Sequence, residues 1–203
     1  MKNYLFFDTE TTGLPANFNA PASDTNNWPR LVQIAWQLYD EYGTLLDGAE
    51  YVIRPEGFSI PAEASNIHGV TQERAVNEGV SLVDVLHLLN TAVGKSDFLV
   101  AHNMAFDEKI VRAEYFRTEI DTRFQYLEKI CTMQKTSEFC AIENDWGQYK
   151  WPKLTELHQK LFGVGVNGAH NAMIDVQATA KCFFHLRNHT NIFGKPPKQL
   201  SLF

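Results

Sequence analysis

The first fifty or so residues carry short apolar runs, separated by turn signals, that are typical of β-strands. Residues 4–7 are one such run, and the turn signal Gly13-Leu14-Pro15 follows it closely. Residues 31–39 and 50–53 are predicted as two further strands, joined through a turn at 40–43. Three strands connected in this way indicate a three-stranded meander.

Helical spacing begins after Pro61. Val83, Leu86, Leu89 and Val93 are predicted to form one apolar stripe, ahead of a short strand at 98–101. Three more helices are expected: one over about 104–117 with Asn103 as N-cap, one marked by Leu154, Leu157 and Leu161 and closed by Gly163, and one over 171–187. The pattern predicts an α/β fold, a mixed sheet of a meander and then parallel strands, flanked by α-helices.

Several segments are predicted to lie outside this scaffold. Residues 15–30 are rich in Asn, Ala and Pro, which is typical of a functional or mobile loop, and Trp146, Trp151 and Pro152 are expected to bracket another loop within 140–152. The helix over 104–117 is expected to have a solvated, salt-bridged face formed by Lys109, Arg112, Arg117, Glu108, Glu114 and Glu119. Residues 195–198 look like an extended tether. We therefore expect a domain over 1–190 and a tail over 191–203.

Composition narrows the class of protein. A chain of 203 residues with 44% hydrophobic content can bury one substantial core. No stretch approaches the roughly 20 apolar residues of a membrane helix, and no signal-peptide pattern is apparent, so we expect a cytoplasmic protein with no membrane partner. The three cysteines, Cys131, Cys140 and Cys182, are far apart and suggest neither disulfides nor a zinc site.

The formal net charge of -6 argues against a protein that coats long stretches of nucleic acid, because that affinity comes mainly from Lys and Arg. Asp8 and Glu10 offer a way around this objection. They lie two residues apart at the end of the first predicted strand, so both carboxylates share one face and can hold divalent cations, which reverse the local charge. Thr11-Thr12-Gly13 follows and can turn sharply to present backbone N–H groups to an anion.

Two further segments place an acid near the start of a helix. Asp107 ends the segment 102–107, and Asp175 ends the segment 170–175. An acid in the first turn can simply complement the helix dipole, and His102 or His170 taken alone is more typical of a structural residue. However, a helix start disfavours imidazolium while nearby carboxylates favour it, which gives His170 a pKa suited to a general base.

Together these segments resemble a known family along nearly the whole chain. The three motifs are Phe7-Asp8-Thr9-Glu10-Thr11-Thr12-Gly13-Leu14, His102-Asn103-Met104-Ala105-Phe106-Asp107 and His170-Asn171-Ala172-Met173-Ile174-Asp175, with Ile67-His68-Gly69-Val70-Thr71 between the first two. They resemble the DEDD exonucleases of the His-x-x-x-x-Asp branch, and within it the proofreading exonucleases of bacterial DNA polymerase III. The resemblance implies a ribonuclease H-like fold and 3′-to-5′ exonuclease activity.

The resemblance also implies roles for individual residues. Asp8 would bridge two Mg²⁺ or Mn²⁺ ions, Glu10 and Asp175 would complete the first site, and Asp107 would hold the second ion. His170 would take the proton from the attacking water. The residues that would contact the substrate are Thr9, Thr11, Thr12, Gly13, Leu14, His68, Asn103 and Phe106. For Leu14, His68 and Phe106, ordinary core packing is the alternative.

Three functions are compatible with the motifs. The first is an exonuclease that releases nucleoside 5′-monophosphates from single-stranded 3′ ends, with DNA favoured, in proofreading or repair. The alternatives are an exoribonuclease for short RNA and a non-catalytic module that docks on a DNA polymerase. Because all five catalytic positions, Asp8, Glu10, Asp107, His170 and Asp175, are filled, we expect an active enzyme.

A last motif predicts a protein partner. Gln199-Leu200-Ser201-Leu202-Phe203 resembles the pentapeptide by which bacterial replication and repair proteins bind the DNA sliding clamp. Gln199 would be the polar anchor, and Leu200, Leu202 and Phe203 the apolar ones. The alternative is that Leu202 and Phe203 fold back onto the edge of the core.

Overall fold

The computed structural model describes residues 1–194. Its sheet has five strands in the order β3-β2-β1-β4-β5. They are β1 (Asn3–Thr11), β2 (Leu31–Asp40), β3 (Leu45–Val52), β4 (Phe98–Ala101) and β5 (Glu128–Cys131). The first three form an antiparallel meander, while β4 pairs parallel with β1 and β5 pairs parallel with β4. The predicted mixed sheet is therefore confirmed.

The helices of the described residues are α1 (Ala62–His68), α2 (Gln72–Glu78), α3 (Leu82–Gly94), α4 (Met104–Thr118), α5 (Thr132–Lys135), α6 (Ser137–Cys140), α7 (Leu154–Phe162) and α8 (Ala172–His189). A single 3₁₀ turn, Phe124–Tyr126, precedes β5. No helix in the range 1–194 has the length and apolar character needed to cross a bilayer. The tether and the pentapeptide predicted from the sequence lie outside the described residues.

Strand β1 is the middle of the structure, and its alternating side chains face two different cores. Leu5 and Phe7 are buried on the side covered by α3 and α4. Tyr4 and Phe6 point the other way and pack against Val176, Ala180 and Phe183 of α8. Since side chains alternate along a strand, Asp8 and Glu10 continue the row of Tyr4 and Phe6 on the α8 side.

The predicted apolar stripe of α3 is confirmed at Leu86, Leu89 and Val93 and is wrong at Val83. Leu82, rather than Val83, shares the buried face with Leu86, and Val83 is exposed. With 3.6 residues per turn, Leu82 is one turn before Leu86, whereas Val83 is rotated away from that face. Strand β3 also starts earlier than predicted, at Leu45, and β5 was not predicted because its four residues contain little apolar pattern.

The predicted solvated face of α4 is wrong for Glu114 and Arg117. Glu114 is fully buried and accepts from Arg30 Nε at 3.0 Å and from the backbone N–H of Leu31 at 2.8 Å, and it pairs with Arg117 at 3.0 Å. Arg117 also donates to the carbonyl oxygens of Thr25 and Trp28. This face of α4 therefore binds the loop over 15–30.

That loop is packed rather than free. The Trp28 side chain is buried, and its Nε1 donates to the carbonyl oxygen of Pro21 at 3.0 Å. Lys109 of α4 donates to the carbonyl oxygen of Phe18 at 2.8 Å. At the loop's end, Thr12 and Arg30 exchange two hydrogen bonds of 3.0 Å each, which close it directly after β1. A buried aromatic ring and backbone hydrogen bonds therefore attach this loop to the domain. Its functional or mobile character stays a prediction.

Candidate active site

Asp8 and Glu10 lie within β1, which runs through to Thr11 rather than ending at the first acid as the apolar run indicated. Both carboxylates are partly buried on the α8 side of the sheet. Their backbone positions are set by pairing with β2, where Asp8 is opposite Ala35 and Glu10 opposite Gln33. A rigid central strand therefore carries the first two acids.

The third acid, Asp107, reaches β1 from the first turn of α4. It is buried, and its Oδ1 accepts two hydrogen bonds from Thr9, one from the hydroxyl at 2.6 Å and one from the backbone N–H at 3.1 Å. Thr9 was predicted to bind substrate, but its buried hydroxyl is used to position Asp107. The alternation of β1 was a signal for this, since it turns Thr9 to the face opposite Asp8 and Glu10.

Asn103 stands at the N-cap of α4 as predicted, but its side chain makes no capping hydrogen bond. Instead its backbone carbonyl oxygen accepts from the N–H groups of Phe106 at 2.9 Å and Asp107 at 3.2 Å. The amide side chain is exposed at the edge of the site. It therefore remains available for a ligand, in line with the predicted substrate contact.

The fourth acid, Asp175, lies in the first turn of α8, whose N-cap Asn171 accepts from the N–H of Ile174 at 3.2 Å. His170 precedes the cap in a left-handed conformation with φ of 68°. Its backbone N–H donates to Asp175 Oδ2 at 3.0 Å. One ligand atom from each of Glu10, His170 and Asp175 lies within 4.8 Å of the others. The structure thus brings the first and third motifs together.

The four acids perturb one another. Burial, then the charges of Asp107, Asp175 and Glu10, raise the pKa of Asp8 well above its usual range. Burial and the charge of Asp175 raise the pKa of Glu10 to about 8. Burial raises the pKa of Asp107 to about 7 although Thr9 opposes the shift, and burial also raises the pKa of Asp175.

These residues fit divalent cations. The Oδ1 atom of Asp175 is buried and has no hydrogen-bond partner within residues 1–194. Four acids from three elements provide the oxygen ligands that Mg²⁺ and Mn²⁺ prefer. The pKa values of the four acids are raised because positive charge from the protein does not balance their negative charges. A bound cation would supply that positive charge.

The segment after β1 is only partly free to contact a ligand. The backbone N–H of Thr12 donates to the carbonyl oxygen of Arg30, so it cannot serve the anion-binding turn expected there. The Thr11 hydroxyl is also engaged, donating to the carbonyl oxygen of Gly13 at 2.7 Å. Leu14 is 75% exposed beyond them and is not part of the core.

His68 and Phe106 are less open than Leu14. His68 is buried, which lowers its pKa, and its Nδ1 accepts from the N–H of Val70 at 3.1 Å. Phe106 is partly buried and packs against the core on the α4 side. Core packing therefore accounts for most of the Phe106 side chain, and the rest of it is exposed. His68 is also buried, but its Nε2 has no hydrogen-bond partner within residues 1–194.

His102, at the end of β4, is a structural residue. It is buried, with Nδ1 3.0 Å from the Thr132 hydroxyl and Nε2 2.9 Å from the carbonyl oxygen of Pro152. Burial lowers its pKa to about 4. Its ring joins the end of β4 to the start of α5 and to the segment before α7, and nothing in the sequence around Pro152 indicated that contact.

A separate cavity of about 670 Å³ lies at the opposite end of α4, next to Phe116 and Tyr126. It contains none of the four acids. The four acids therefore lie outside this cavity.

Comparison with known proteins agrees with this architecture. The family model RNase_T, described as Exonuclease, matches residues 5–183. DNA polymerase III of the PolC type from Streptococcus thermophilus is 32% identical over 181 residues, which cover 89% of this chain and 11% of that protein. The chain thus spans about a tenth of these curated relatives.

Solved structures share the fold. Exonuclease I of E. coli in complex with a dT13 oligonucleotide has a TM-score of 0.73 at 21% identity, covering 93% of this chain and 41% of that one. The zinc-bound form of its complex with single-stranded DNA has a TM-score of 0.71 at 20% identity, over 93% and 41% of the two chains.

The mixed sheet and the acids at its edge define a ribonuclease H-like nuclease fold. The chain belongs to the exonuclease family whose model covers residues 5–183. The resemblance to the DEDD exonucleases of the His-x-x-x-x-Asp branch is confirmed, and the match to a DNA polymerase III agrees with the group expected from the motifs.

The raised pKa values predict an unusual dependence of stability on pH. Without divalent cations, we expect the free energy of unfolding to fall as pH rises from about 4 to about 8. Unfolded carboxyl groups lose their protons near pH 4, whereas in the folded protein Glu10 keeps its proton up to about 8 and Asp107 up to about 7. In this window the folded state binds more protons, so raising the pH favours unfolding.

Thermal denaturation in chelator across this pH range measures the effect, and Mg²⁺ should restore the lost stability. Asp8→Asn should flatten the pH dependence, because it removes one of the repelling charges. Asp121→Asn, an exposed acid outside the site, serves as the control and should leave the slope unchanged. Stability that rose with pH in the metal-free protein would contradict this account.

Proposed function

We propose that the protein removes nucleoside 5′-monophosphates from the 3′ end of single-stranded DNA with the help of two divalent cations. The observation that carries the proposal is the convergence of Asp8, Glu10, Asp107 and Asp175 on one edge of the sheet. Their charges repel one another, and burial adds to the cost of ionising them. Such a cluster is suited to holding cations against a phosphodiester.

Asp8 is the proposed shared ligand, because its pKa responds to all three of the other acids. Glu10 and Asp175 would complete one cation site and Asp107 the second. Two bound cations supply charge stabilisation for both the attacking and the leaving oxygen of an in-line displacement. Thr9 holds Asp107 in place, and the helix start at Asn171 holds Asp175.

His170 is the proposed proton acceptor for the attacking water. It is exposed, and its ring lies beside Glu10 and Asp175. The bond from its backbone N–H to Asp175 fixes the position of the residue while leaving the ring free to exchange protons with solvent. An imidazole in contact with both the carboxylates and solvent is suited to take a proton from water and pass it on.

The proposed substrate is DNA with a free single-stranded end. Support comes from the relatives, one named as a DNA polymerase III and the other crystallised with single-stranded DNA. Leu14, with its exposed side chain, and the partly exposed Phe106 offer apolar surfaces to the terminal nucleotide. We place the enzyme in proofreading or repair, acting together with a DNA polymerase.

We assign residues 1–190 to the exonuclease domain and residues 191–203 to a tail. The proposed compartment is the cytoplasm. Cys131, Cys140 and Cys182 are all free thiols and all buried, which suits a reducing environment.

The proposed activity is tested with oligonucleotides labelled at either end. We expect stepwise shortening from the 3′ end of single-stranded DNA, complete loss in chelator, and recovery with Mg²⁺ or Mn²⁺. Double-stranded, mismatched and short RNA ends in the same assay measure the preference for DNA over RNA. Undiminished cleavage in chelator, or shortening from the 5′ end, would overturn the proposal.

His170→Ala is expected to lower kcat by roughly 100-fold or more, since the loss of a general base has about that effect. The affinity for Mg²⁺, measured by calorimetry, should stay close to that of the unchanged protein. His189→Ala, an exposed histidine at the far end of α8, is the matched control and should have full activity. If His170→Ala lost Mg²⁺ binding instead, the ring would be a metal ligand and another group the base.

We also propose that Gln199-Leu200-Ser201-Leu202-Phe203 binds the bacterial DNA sliding clamp. The support is its resemblance to clamp-binding pentapeptides and the Pro196-Pro197 pair before it, which favours an extended chain. A short peptide loses conformational entropy when it docks, so its affinity should be modest. Tethering to a clamp on DNA would raise the local concentration of the enzyme at the strand end, which offsets the net charge of -6.

Deleting residues 199–203 should abolish binding to purified sliding clamp, measured by surface plasmon resonance. Hydrolysis of short free oligonucleotides should be unchanged, because the catalytic residues lie elsewhere in the chain. Lys198→Ala is the control and should bind the clamp normally. The assignment would be disproved if the shortened protein still bound the clamp. It would also be disproved if the intact protein did not bind the clamp and the deletion lowered the melting temperature.

A further inference from the structure

Residues 141–153, here called the aromatic hairpin, have no role in the proposed chemistry. Three of its side chains are large aromatic rings that face solvent: Trp146 is 83% exposed, Trp151 61% and Tyr149 50%. The other two tryptophans of the chain, Trp28 and Trp36, are buried. Three exposed aromatic rings within a short segment form an apolar surface, and such surfaces are typical of binding sites.

The aromatic hairpin is held in one shape by its own backbone. Glu143 and Tyr149 form an antiparallel bridge, and the N–H of Lys150 donates to the carbonyl oxygen of Ile142 at 2.8 Å. At the tip, Asn144 Oδ1 accepts from the backbone N–H of Trp146 at 3.0 Å and from that of Gln148 at 2.9 Å. The rings are thus presented on a preformed turn, so binding requires little further ordering of the chain.

The C-terminal end of the aromatic hairpin is fastened to the domain. Lys150 pairs with Glu156 of α7 at 2.6 Å, and the same carboxylate accepts from the N–H of Lys153 at 2.7 Å. The carbonyl oxygen of Pro152 is 2.9 Å from His102 Nε2 at the end of β4. The base of the hairpin is therefore attached to the edge of the sheet.

This attachment is at the end of the sheet where the acids lie. Strands β1 and β4 are parallel neighbours, with Phe6 opposite Val100. Asp8 and Glu10 follow Phe6 in β1, and His102 comes directly after the last residue of β4, Ala101. Because the carboxyl ends of parallel strands meet at one edge of a sheet, the contact between Pro152 and His102 joins the hairpin to the edge that carries the acids.

The charge of the segment indicates how it binds. Glu143 and Asp145 balance Lys150 and Lys153, so its formal charge is zero. It offers phosphates no net attraction, and its binding surface consists of ring faces. Bases stack on such faces irrespective of sequence.

We propose that the aromatic hairpin is a stacking platform for single-stranded DNA, and that Trp146, Tyr149 and Trp151 bind nucleotides upstream of the terminal one. The inference rests on the proposed function, since it places the strand end at the acids. Stacking on these rings supplies affinity that a protein with a net charge of -6 cannot obtain from phosphate contacts alone.

Binding tests the platform without hydrolysis. In chelator, the affinity for an oligothymidylate of about twelve nucleotides is measured by fluorescence anisotropy. Trp146→Ala and Trp151→Ala should each weaken binding by about 5-fold or more, because one stacked base is lost. Tyr126→Ala is the matched control, as this ring is 82% exposed at the opposite end of α4, and it should bind as tightly as the unchanged protein. Equal melting temperatures show that the variants are folded.

Salt and substrate length distinguish base stacking from phosphate binding and from damage to the catalytic site. The affinity ratio between the unchanged protein and the double variant Trp146→Ala, Trp151→Ala should be the same at about 50 and 200 mM salt, since stacking releases no counterions. With Mg²⁺, the double variant should have a higher KM for the long strand and unchanged turnover of a dinucleotide.

Unaltered oligothymidylate binding by the double variant, or no binding by the unchanged protein, would refute the platform. So would an equal loss of activity on both substrates, which indicates damage to the site. Failure of the proposed function looks different, because then neither substrate is hydrolysed by the unchanged protein, whatever the binding assay shows.

Discussion

The arrangement of the site is governed by the repulsion among four carboxylates brought together at the edge of a hydrophobic sheet. Burial disfavours ionisation of all four groups, and the neighbouring acids raise the pKa of Asp8, Glu10 and Asp107 further. The folded state tolerates this because the rest of β1 is buried between two apolar layers. Stability from the core thus offsets the electrostatic cost at the site, which the proposed cations would reduce.

The alternation of β1 explains how acids from separate parts of the chain meet. Odd positions, such as Thr9, face α4, and even positions, such as Asp8 and Glu10, face α8. Helices α4 and α8 each carry one acid in the first turn. Asp107 accepts a hydrogen bond from Thr9, and Asp175 lies close to Glu10. One strand therefore organises two helices that approach from opposite layers, and the position of every acid is set by a rigid element.

Much of this could be predicted from the sequence because it depends on local patterns. The meander follows from apolar runs and turns, β4 from four consecutive apolar or small residues, and α8 from the helical pattern over 171–187. The motifs predicted which acids would form the site, and the structure brings the first and third motifs together. What could not be predicted depends on contacts between distant segments. Nothing local shows that Glu114 is buried under Arg30, or that Pro152 meets His102, because both contacts form only when the chain folds.

Hydrogen bonds within the protein also involve residues of the first motif. Thr9 and Thr12 were expected to contact the substrate, which stays a prediction, and in the structure both make hydrogen bonds to other parts of the chain. A buried polar group without a partner is costly, so such residues are first used to complete the fold. The side chains of Leu14 and Asn103 are exposed and are not needed to satisfy buried polar groups. These two residues therefore remain the better candidates for substrate contact.

The ion-pair cluster of Glu114, Arg30 and Arg117 has a consequence for how this sequence can diverge. Replacing Glu114 removes the partner of both Arg30 and Arg117, and breaking a buried pair in this way costs about 3 to 5 kcal/mol. Replacing Arg30 costs less, because Glu114 still pairs with Arg117 and accepts from the N–H of Leu31. The effect of a substitution at one of the three positions therefore depends on the other two, and they form an epistatic unit that spans a helix and a loop. Because Arg117 also donates to the carbonyl oxygens of Thr25 and Trp28, α4 and the loop over 15–30 constrain each other's divergence.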